Sequence, residues 1–468
     1  MGDPVRRRAL DRADAFVVAG VVLGHHRGRL AWAHSAFPDR GSAVSDIGRS
    51  GAACAGDVPA AVDLATRRLV VAHATARMQV ILSRRAMERV QLTYCGNVHP
   101  AGDLEEWLAT VHRFAVPVAA AQRRRGLRFG LGAWWNAAVA QTLAGDPAAR
   151  ARLSAELAAL DLPLWTLNVF PFGGFHDAVV KRAVYAPDWA TEERLDYTRQ
   201  CARVAAGLLP MGSTLPLSTL PLGYRGPGDA PADLRLMARN LVRCASSFAA
   251  IEQQTGVRCT LALEPEPFCL LETCAAAADF LERWVFDEGA WSTVTTEVLR
   301  RHLGVCVDLC HLAVVGEEPL AALALLAARG IVVPKVQVSS CLELRAPAEL
   351  APLLAFDEPR YLHQTVAERG PRALDLGDVR ARTAEFTAGG RLRTHFHMPL
   401  YWDQPGALGS TRSEVERVLR GLRAMPPPLP LLEVETYTWS VLGDLAGSEP
   451  LPLRIGRELE FVANLLGV

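Results

Sequence analysis

The sequence predicts an α/β fold: one (β/α)8 TIM barrel behind a poorly ordered N-terminal extension. Three observations carry that expectation. From Gln91 onward, short β-rich runs alternate with stretches of helical periodicity, eight or nine β runs in all. Most of those runs are apolar throughout, as strands covered by helices on both faces are. Polar residues then recur at their carboxyl ends, the face on which such barrels build their sites.

Residues 1–86 differ in kind from the rest and form the extension; residues 87–468 form the barrel. The start, "MGDPVRRRALDRADAFVVAGVVLGHH", pairs Arg6, Arg7 and Arg8 with a brief apolar run. Asp11 and Asp14 interrupt the approach and no small-residue cleavage site follows, which argues against a secretory signal. "FPDRGSAVSDIGRSGAACAGDVPA" reads as loop, and the stretch from Ala60 to Val90 as one or two helices.

The barrel elements follow in order. "QLTYCGNV" is the first strand, and "DLEEWLATVHRFAVPVAAAQR" a helix with acids in its first turn. "RFGLGAWW" and "LPLWTLNVFPF" are the second and third strands, "TEERLDYTRQCARVAAGLL" the next helix, and "STLPLSTLPLGY" a less regular fourth strand. "ADLRLMARNLVRCASSFAAIEQQTG" is a helix that stops on Gly256. "RCTLALEPEP", "LGVCVDLCHL" and "VVPKVQVSSCLEL" continue the strands, with "TCAAAADFLERWVF" and "PLAALALLAARG" as intervening helices. After a long irregular stretch, "RLRTHFHMPLYW", the helix "RSEVERVLRGLRAM" and "PLLEVETYTW" complete the alternation. An open doubly wound sheet is the competing architecture. No GxGxxG follows the first strand, and about eight units favour the closed barrel.

Composition excludes several functions. Lys+Arg and Asp+Glu are 50 each in 468 residues, so there is no electrostatic case for nucleic acid or an anionic membrane. No segment approaches the roughly 18 uninterrupted apolar residues of a membrane span. The ten cysteines include no CxxC pair and lie mostly in apolar runs, which predicts reduced core residues and a cytoplasmic protein. GxSxG, Walker, HExxH and zinc-finger spacings are absent from the sequence.

The candidate site is read from the strand ends. Asn97 and His99 follow the first strand, Asn168 ends the third, Glu264 and Glu266 the fifth, and Asp308 and His311 the sixth. Gln337, Ser339 and Ser340 end the seventh, His395 and His397 end "RTHFH", and Glu433 and Glu435 end "LLEVET". A buried carboxylate is expensive unless paired or coordinated. Several converging ones repel each other, and a divalent cation removes both costs. Glu264, Asp308, His397 and one of Glu433 or Glu435 are the expected metal ligands. Their nitrogen and oxygen donors suit Zn²⁺, Mn²⁺ or Fe²⁺. The bland alternatives stay in view: Asp308 as a helix cap, the histidines as core residues, one of the two late glutamates as a structural acid. Cys306 and Cys310 are read as packing residues. Asn97, His99, Asn168, His176, Lys181, Gln337 and His395 are the expected substrate contacts. The glycine-bearing loop "NVFPFGGFHD" that presents His176 reads as a substrate loop or a turn, and the long segment holding His363 and Gln364 as a functional insertion.

"LTYCGNVHP", "NVFPFGGFHDAVVKRAVYAPDW", "LALEPEPFCLLET", "VCVDLCHLAV", "KVQVSS", "YLHQ", "HFHMPLY" and "LEVETYTWSVL" together resemble the metabolite traffic protein EboE family, from about Met87 to the C-terminus. The resemblance implies a xylose isomerase-like TIM barrel, with a Glu on the fifth strand, Asp-x-x-His on the sixth, a polar ligand on the seventh and a Glu on the last. Glu264, Asp308, His311 and Glu435 or Glu433 match that pattern. His395 and His397 resemble the paired ligands of the superfamily's endonuclease-like branch, and Gln337 stands where a His is common. The implied role is handling of a small secondary metabolite, alongside other proteins of the same pathway. The alternatives are a metal-dependent sugar isomerase, epimerase or hydrolase with Glu264 and Glu435 as the proton-moving acids, and a non-enzymatic carrier.

Overall fold

The computed structural model describes residues 90–226, 229–287, 291 and 294–468; the expectations for residues 1–86 lie outside the described residues. Seven strands open the fold: β1 (Leu92–Tyr94), β2 (Leu131–Trp134), β3 (Leu164–Asn168), β4 (Thr214–Thr219), β5 (Arg258–Leu263), β6 (Leu303–Asp308) and β7 (Val332–Val338). Five more follow: β8 (Cys341–Leu344), β9 (Thr365–Ala367), β10 (Arg372–Ala373), β11 (Leu392–His397) and β12 (Leu408–Ser410). The last is β13 (Leu431–Val434).

Strands β1 to β7 and β13 form one sheet of eight, every pairing parallel, with β13 between β7 and β1. The remaining seam closes through a parallel bridge between Cys95 and Gly132 and a 2.7 Å bond from the Thr93 hydroxyl to the Gly130 carbonyl. The architecture is therefore the expected (β/α)8 barrel. Gly132 at the seam has no room for a side chain, since a Cβ there would stand 2.5 Å from the Tyr94 carbonyl oxygen.

The helices begin and end where local chemistry directs. Asp233 caps Leu234–Thr255 by accepting from the Leu236 amide, and Gly256 ends it at φ +70°. A terminal helix, Leu451–Leu466, was not anticipated from the sequence; Ile455, Leu459, Val462 and Leu466 bury its inner face at helical spacing. Among the described residues, no single helix is long and apolar enough to cross a membrane.

Two sequence expectations are corrected. The run "VVPKVQVSSCLEL" is two strands, broken at Ser339 and Ser340, and "RLRTHFH" is not a barrel strand. Strands β8 to β12 form a separate antiparallel sheet in the order β10-β9-β11-β8-β12, inserted between β7 and β13. Its core is apolar, with Leu342, Leu344, Phe386, Leu392 and Phe396 packed together. Hydrophobic alternation alone cannot distinguish a strand of the barrel from a strand of an inserted sheet.

Inside the barrel, Lys335 on β7 and Glu433 on β13 meet at 2.5 Å with both side chains fully buried. Burial works against the lysine charge, but Glu433 outweighs it and holds the ammonium above its ordinary pKa. The Lys335 Nζ also donates to the Ser218 hydroxyl at 3.1 Å. Breaking a buried pair by removing one partner costs more than replacing both. Lys335→Met is expected to destabilise the fold by about 3–5 kcal/mol in chemical denaturation, because it strands a buried carboxylate. Adding Glu433→Gln should restore much of the loss; a double variant no more stable than the single one would contradict this.

Candidate metal centre

The floor of the centre is a trio of acids. Glu264 follows β5, and its amide donates to the Thr219 carbonyl at 3.0 Å. Asp308 ends β6, and Glu435 follows β13, its amide donating to the Val338 carbonyl at 3.2 Å. One oxygen from each lies within 4.8 Å of the others, and all three residues are buried. Asp308 does cap the next helix, as the bland reading held: its Oδ1 accepts from the His311 amide at 2.9 Å and from the Ser339 hydroxyl at 2.8 Å. Its Oδ2 has no partner, and neither has Oε2 of Glu264. Glu435 Oε1 accepts from the amides of Asn97 at 2.7 Å and Asn168 at 3.2 Å.

This crowding shifts the acids. Burial, then Glu435 and Asp308, push Glu264 well above the usual carboxylate range. Burial, then Asp308 and Glu433, raise Glu435 to about 8, against the smaller opposing pulls of Lys335 and Asn97. Nearby Glu266 is also raised by burial to about 8, despite accepting a 2.5 Å bond from the Tyr185 hydroxyl.

Three imidazoles stand above the acids. His311 is in the first turn after β6, while His395 and His397 share one face of β11. His311 Nδ1 faces the Pro265 carbonyl at 3.0 Å, and His397 Nδ1 the Glu435 carbonyl at 2.6 Å. Each Nδ1 must then donate, which leaves Nε2 with its lone pair. The Nε2 of His397 is buried without a partner. Burial lowers His311 to about 4 and takes His395 well below its usual range, so these rings are neutral. A neutral imidazole anchored through Nδ1–H, with Nε2 free, is the state in which histidine binds metal. Asp308, His311 and His397 offer donor atoms within 4.8 Å of one another. Orphaned carboxylate oxygens beside free imidazole nitrogens fit a divalent cation.

Other expected residues fall into distinct places. Asn97 and Asn168 orient Glu435, and His176 bonds the Asn97 carbonyl at 2.7 Å. Gln337 is fully buried between Asp308 and Glu433 in register, and neither amide atom has a partner. Lys181 lines the mouth, but its ammonium is held by Asp375 at 2.6 Å and the Glu358 carbonyl at 3.1 Å. His99 stacks on Phe114 at 4.1 Å and bonds Tyr94, away from the residues that line the cleft. Glu433 is placed outside the acid trio because Lys335 holds it deeper in the barrel. Cys306 and Cys310 are buried thiols pushed well above their ordinary pKa by burial, as packing residues are.

Residues outside the predicted set complete the cleft. Phe170, Phe175, Tyr361 and Tyr437 give it aromatic walls, and Glu266, Tyr185 and Gln364 form a bonded chain on one side. The sequence signal for Glu266 was its strand-end position beside Glu264; for Phe170 and Tyr437 it was a place just past a strand, and for Phe175 and Tyr361 only a place in loops.

No protein-family model matches the sequence, and no curated protein matches it either. Several solved structures are similar. An L-ribulose 3-epimerase is 16% identical, with 53% of this chain and 69% of that chain covered at a TM-score of 0.35. An IolI protein with a bound zinc atom is 10% identical, with 81% and 98% covered at 0.42. A xylose isomerase-like TIM barrel protein from Mycobacterium smegmatis in complex with magnesium is 12% identical, with 81% and 96% covered at 0.42.

The raised acids set a pH signature. Glu266 and Glu435 titrate near 8 in the metal-free fold, against an ordinary 4.5. The folded state therefore binds more protons than the unfolded state across that interval, and stability falls as pH rises through it. Metal-free protein is expected to melt at progressively lower temperature from about pH 5 to about pH 8. A divalent cation should raise the melting temperature most at the alkaline end, where its ligands are already deprotonated. An equal rise at every pH would contradict this reading.

Proposed function

We propose that this chain is a divalent-metal-dependent isomerase or epimerase that moves a proton beside a carbonyl of a small, hydroxylated, uncharged metabolite. Its biological setting would be the secondary-metabolite handling that the EboE resemblance implies. The observation that carries the proposal is the pairing of Glu264 and Glu435. Both line the cleft, both flank the candidate cation position, and burial raises both above the usual carboxylate range, Glu435 to about 8.

A cation held by Glu264, Asp308 and Glu435 supplies Lewis acidity at a substrate oxygen when bound. Asn97 and Asn168 fix one oxygen of Glu435, which keeps the carboxyl plane from rotating. The Asp308 oxygen bonded to Ser339 and to the His311 amide is fixed in the same way. Glu264 keeps an unpartnered oxygen for proton transfer. The aromatic walls exclude water from the reacting carbon and accommodate an apolar part of the substrate. Among the described residues lining the cleft, Lys181 is the only lysine or arginine, and its charge is already paired. That supports an unphosphorylated substrate and argues against phosphodiester chemistry.

The test uses a metabolite accumulated by a strain lacking this gene. Metal-loaded protein in heavy water is expected to change its configuration or carbonyl position and to introduce deuterium at the neighbouring carbon. Glu264→Gln should lower that rate about 10²–10⁴-fold with the fold retained by circular dichroism, because the amide keeps the size and loses the proton capacity. A metabolite that binds the wild-type protein and emerges unaltered would replace this reading with that of a carrier.

A further inference from the structure

Two segments of the chain meet across the cleft. One follows β3 and runs from Asp177 to Tyr185; the other runs from Glu358 to Gln364 and leads into β9 of the insertion. The amides of Val180 and Lys181 both donate to the Arg360 carbonyl at 2.8 Å. Two successive amides converge on one acceptor because Val180 is right-handed and Lys181 left-handed, at φ +42°, a conformation that residues other than glycine seldom adopt. The Arg360 guanidinium returns a bond to the Asp177 carbonyl at 3.0 Å and another to the Ser440 hydroxyl at 2.9 Å. Val180, Lys181, Tyr185, Tyr361 and Gln364 all line the cleft, so these bonds make a strap from one wall to the other.

Charge fastens the strap. Lys181 Nζ reaches Asp375 Oδ2 at 2.6 Å, and Asp375 Oδ1 accepts from His363 Nδ1 at 2.9 Å. His363 is fully buried with a carboxylate at each ring nitrogen, Asp375 at Nδ1 and Glu358 Oε1 3.4 Å from Nε2. Glu358 also accepts from the Arg360 amide at 2.8 Å and the Tyr361 amide at 2.7 Å, inside the strap itself. An ionised carboxylate only accepts, so Nδ1 carries a hydrogen. In a neutral ring the Nε2 lone pair would face the Glu358 carboxylate with no donor to answer it. A charged ring presents N–H to both acids. Burial works against that charge, but Asp375 and Glu358 outweigh it, against a smaller push from Lys181, and hold His363 above its ordinary pKa. The neighbouring Asp357 is paired with Arg380 at 3.0 Å. Strand β11 packs the ring of Phe396 on His363, centroids 5.7 Å apart, while His395 turns to the opposite face of that strand and stays neutral.

We propose that His363 is a pH-sensitive fastener of this strap: its imidazolium ties Glu358 to Asp375, Asp375 holds Lys181, and loss of the proton as pH rises parts the strap and opens the cleft. With the ring neutral, the two carboxylates repel each other across it. The contribution is complete below the ordinary histidine range, where the ring is charged whether the strap is made or not. It is lost as pH rises through the higher value that the two acids set in the fold. The inference concerns entry to the cleft and holds whatever reaction the cleft performs; its test needs neither metal nor substrate.

Amide hydrogen exchange on the full-length chain reads the strap directly, by mass spectrometry of segments 176–186 and 358–364, corrected for the intrinsic rise of exchange with pH. Strand β5 is the reference for global opening. Protection of the strap relative to β5 is expected to fall about 10–100-fold between about pH 6 and about pH 9, the loss of one hydrogen bond to a charged group. His363→Gln should start less protected and show no such fall. Lys181→Met should be poorly protected throughout, since the tie to Asp375 is gone whatever the state of the ring. Circular dichroism establishes that each variant is folded. If His363→Gln is not, Glu358→Gln takes its place and should move the fall to lower pH, because the ring loses one of its two acids. A flat wild-type profile would overturn the proposal, as would a Lys181→Met strap as well protected as wild type at low pH. A fall that persists unchanged in His363→Gln, or unshifted in Glu358→Gln, would overturn it too and assign the fall to the acids of the metal centre.

Discussion

Five carboxyl groups, those of Glu264, Glu266, Asp308, Glu433 and Glu435, are shut inside one barrel mouth, and Lys335 pairs directly with one of them. The interior is layered, so Glu433 and Glu435, two residues apart on one strand, point inward at successive heights. Lys335 answers the lower layer. The upper layer has no such partner, and Glu264 and Glu435 respond as buried like charges must, by holding protons to higher pH. The surrounding polar groups are arranged around that imbalance. Asn97, Asn168 and Ser339 donate to the acids without neutralising them.

The two halves of the centre come from different parts of the fold. Barrel strands supply oxygen donors, and the inserted sheet supplies two of the three imidazoles. Strand β11 links the two by simple alternation. Leu392 and Phe396 turn into the core of the insertion, and His395 and His397 turn the other way, into the cleft. Packing of Phe396 therefore positions the histidines on either side of it. A ligand held by the hydrophobic core of its own sheet is better placed than one carried on a loop.

Much of this was legible in the sequence, for identifiable reasons. The barrel could be read because its strands are apolar throughout and each is followed by a helix with recognisable ends, such as the Asp233 cap and Gly256 stop. Glu264, Asp308, His311, His397 and Glu435 could be singled out because charge in an oily run is costly without a partner. Three things could not be read. The sequence spaces Glu433 and Glu435 identically with respect to the strand face, so only the position of Lys335 separates the paired acid from the unpaired one. His99 ends a strand as Asn97 does, yet it turns outward to stack on Phe114, a direction set by helix packing rather than by spacing. The membership of β11 in a second sheet depends on hydrogen-bond partners more than 20 residues away, which local pattern does not encode.

Gln337 gives the arrangement its logic. A neutral amide stands in register with Asp308, its two polar atoms unpartnered. An amide is a weak donor to a transition metal, so the barrel alone offers few strong nitrogen ligands. His395 and His397 supply them from the insertion. Coordination across that boundary would do more than hold an ion: each metal–nitrogen bond would also tie the inserted sheet to the barrel. Metal binding and docking of the insertion then become one coupled equilibrium, in which free energy gained at the cation is also free energy of closing the cleft. The side chains that would hold the ion also touch the walls of the cleft: His397 packs on Tyr437, which in turn meets Tyr361 and Phe175.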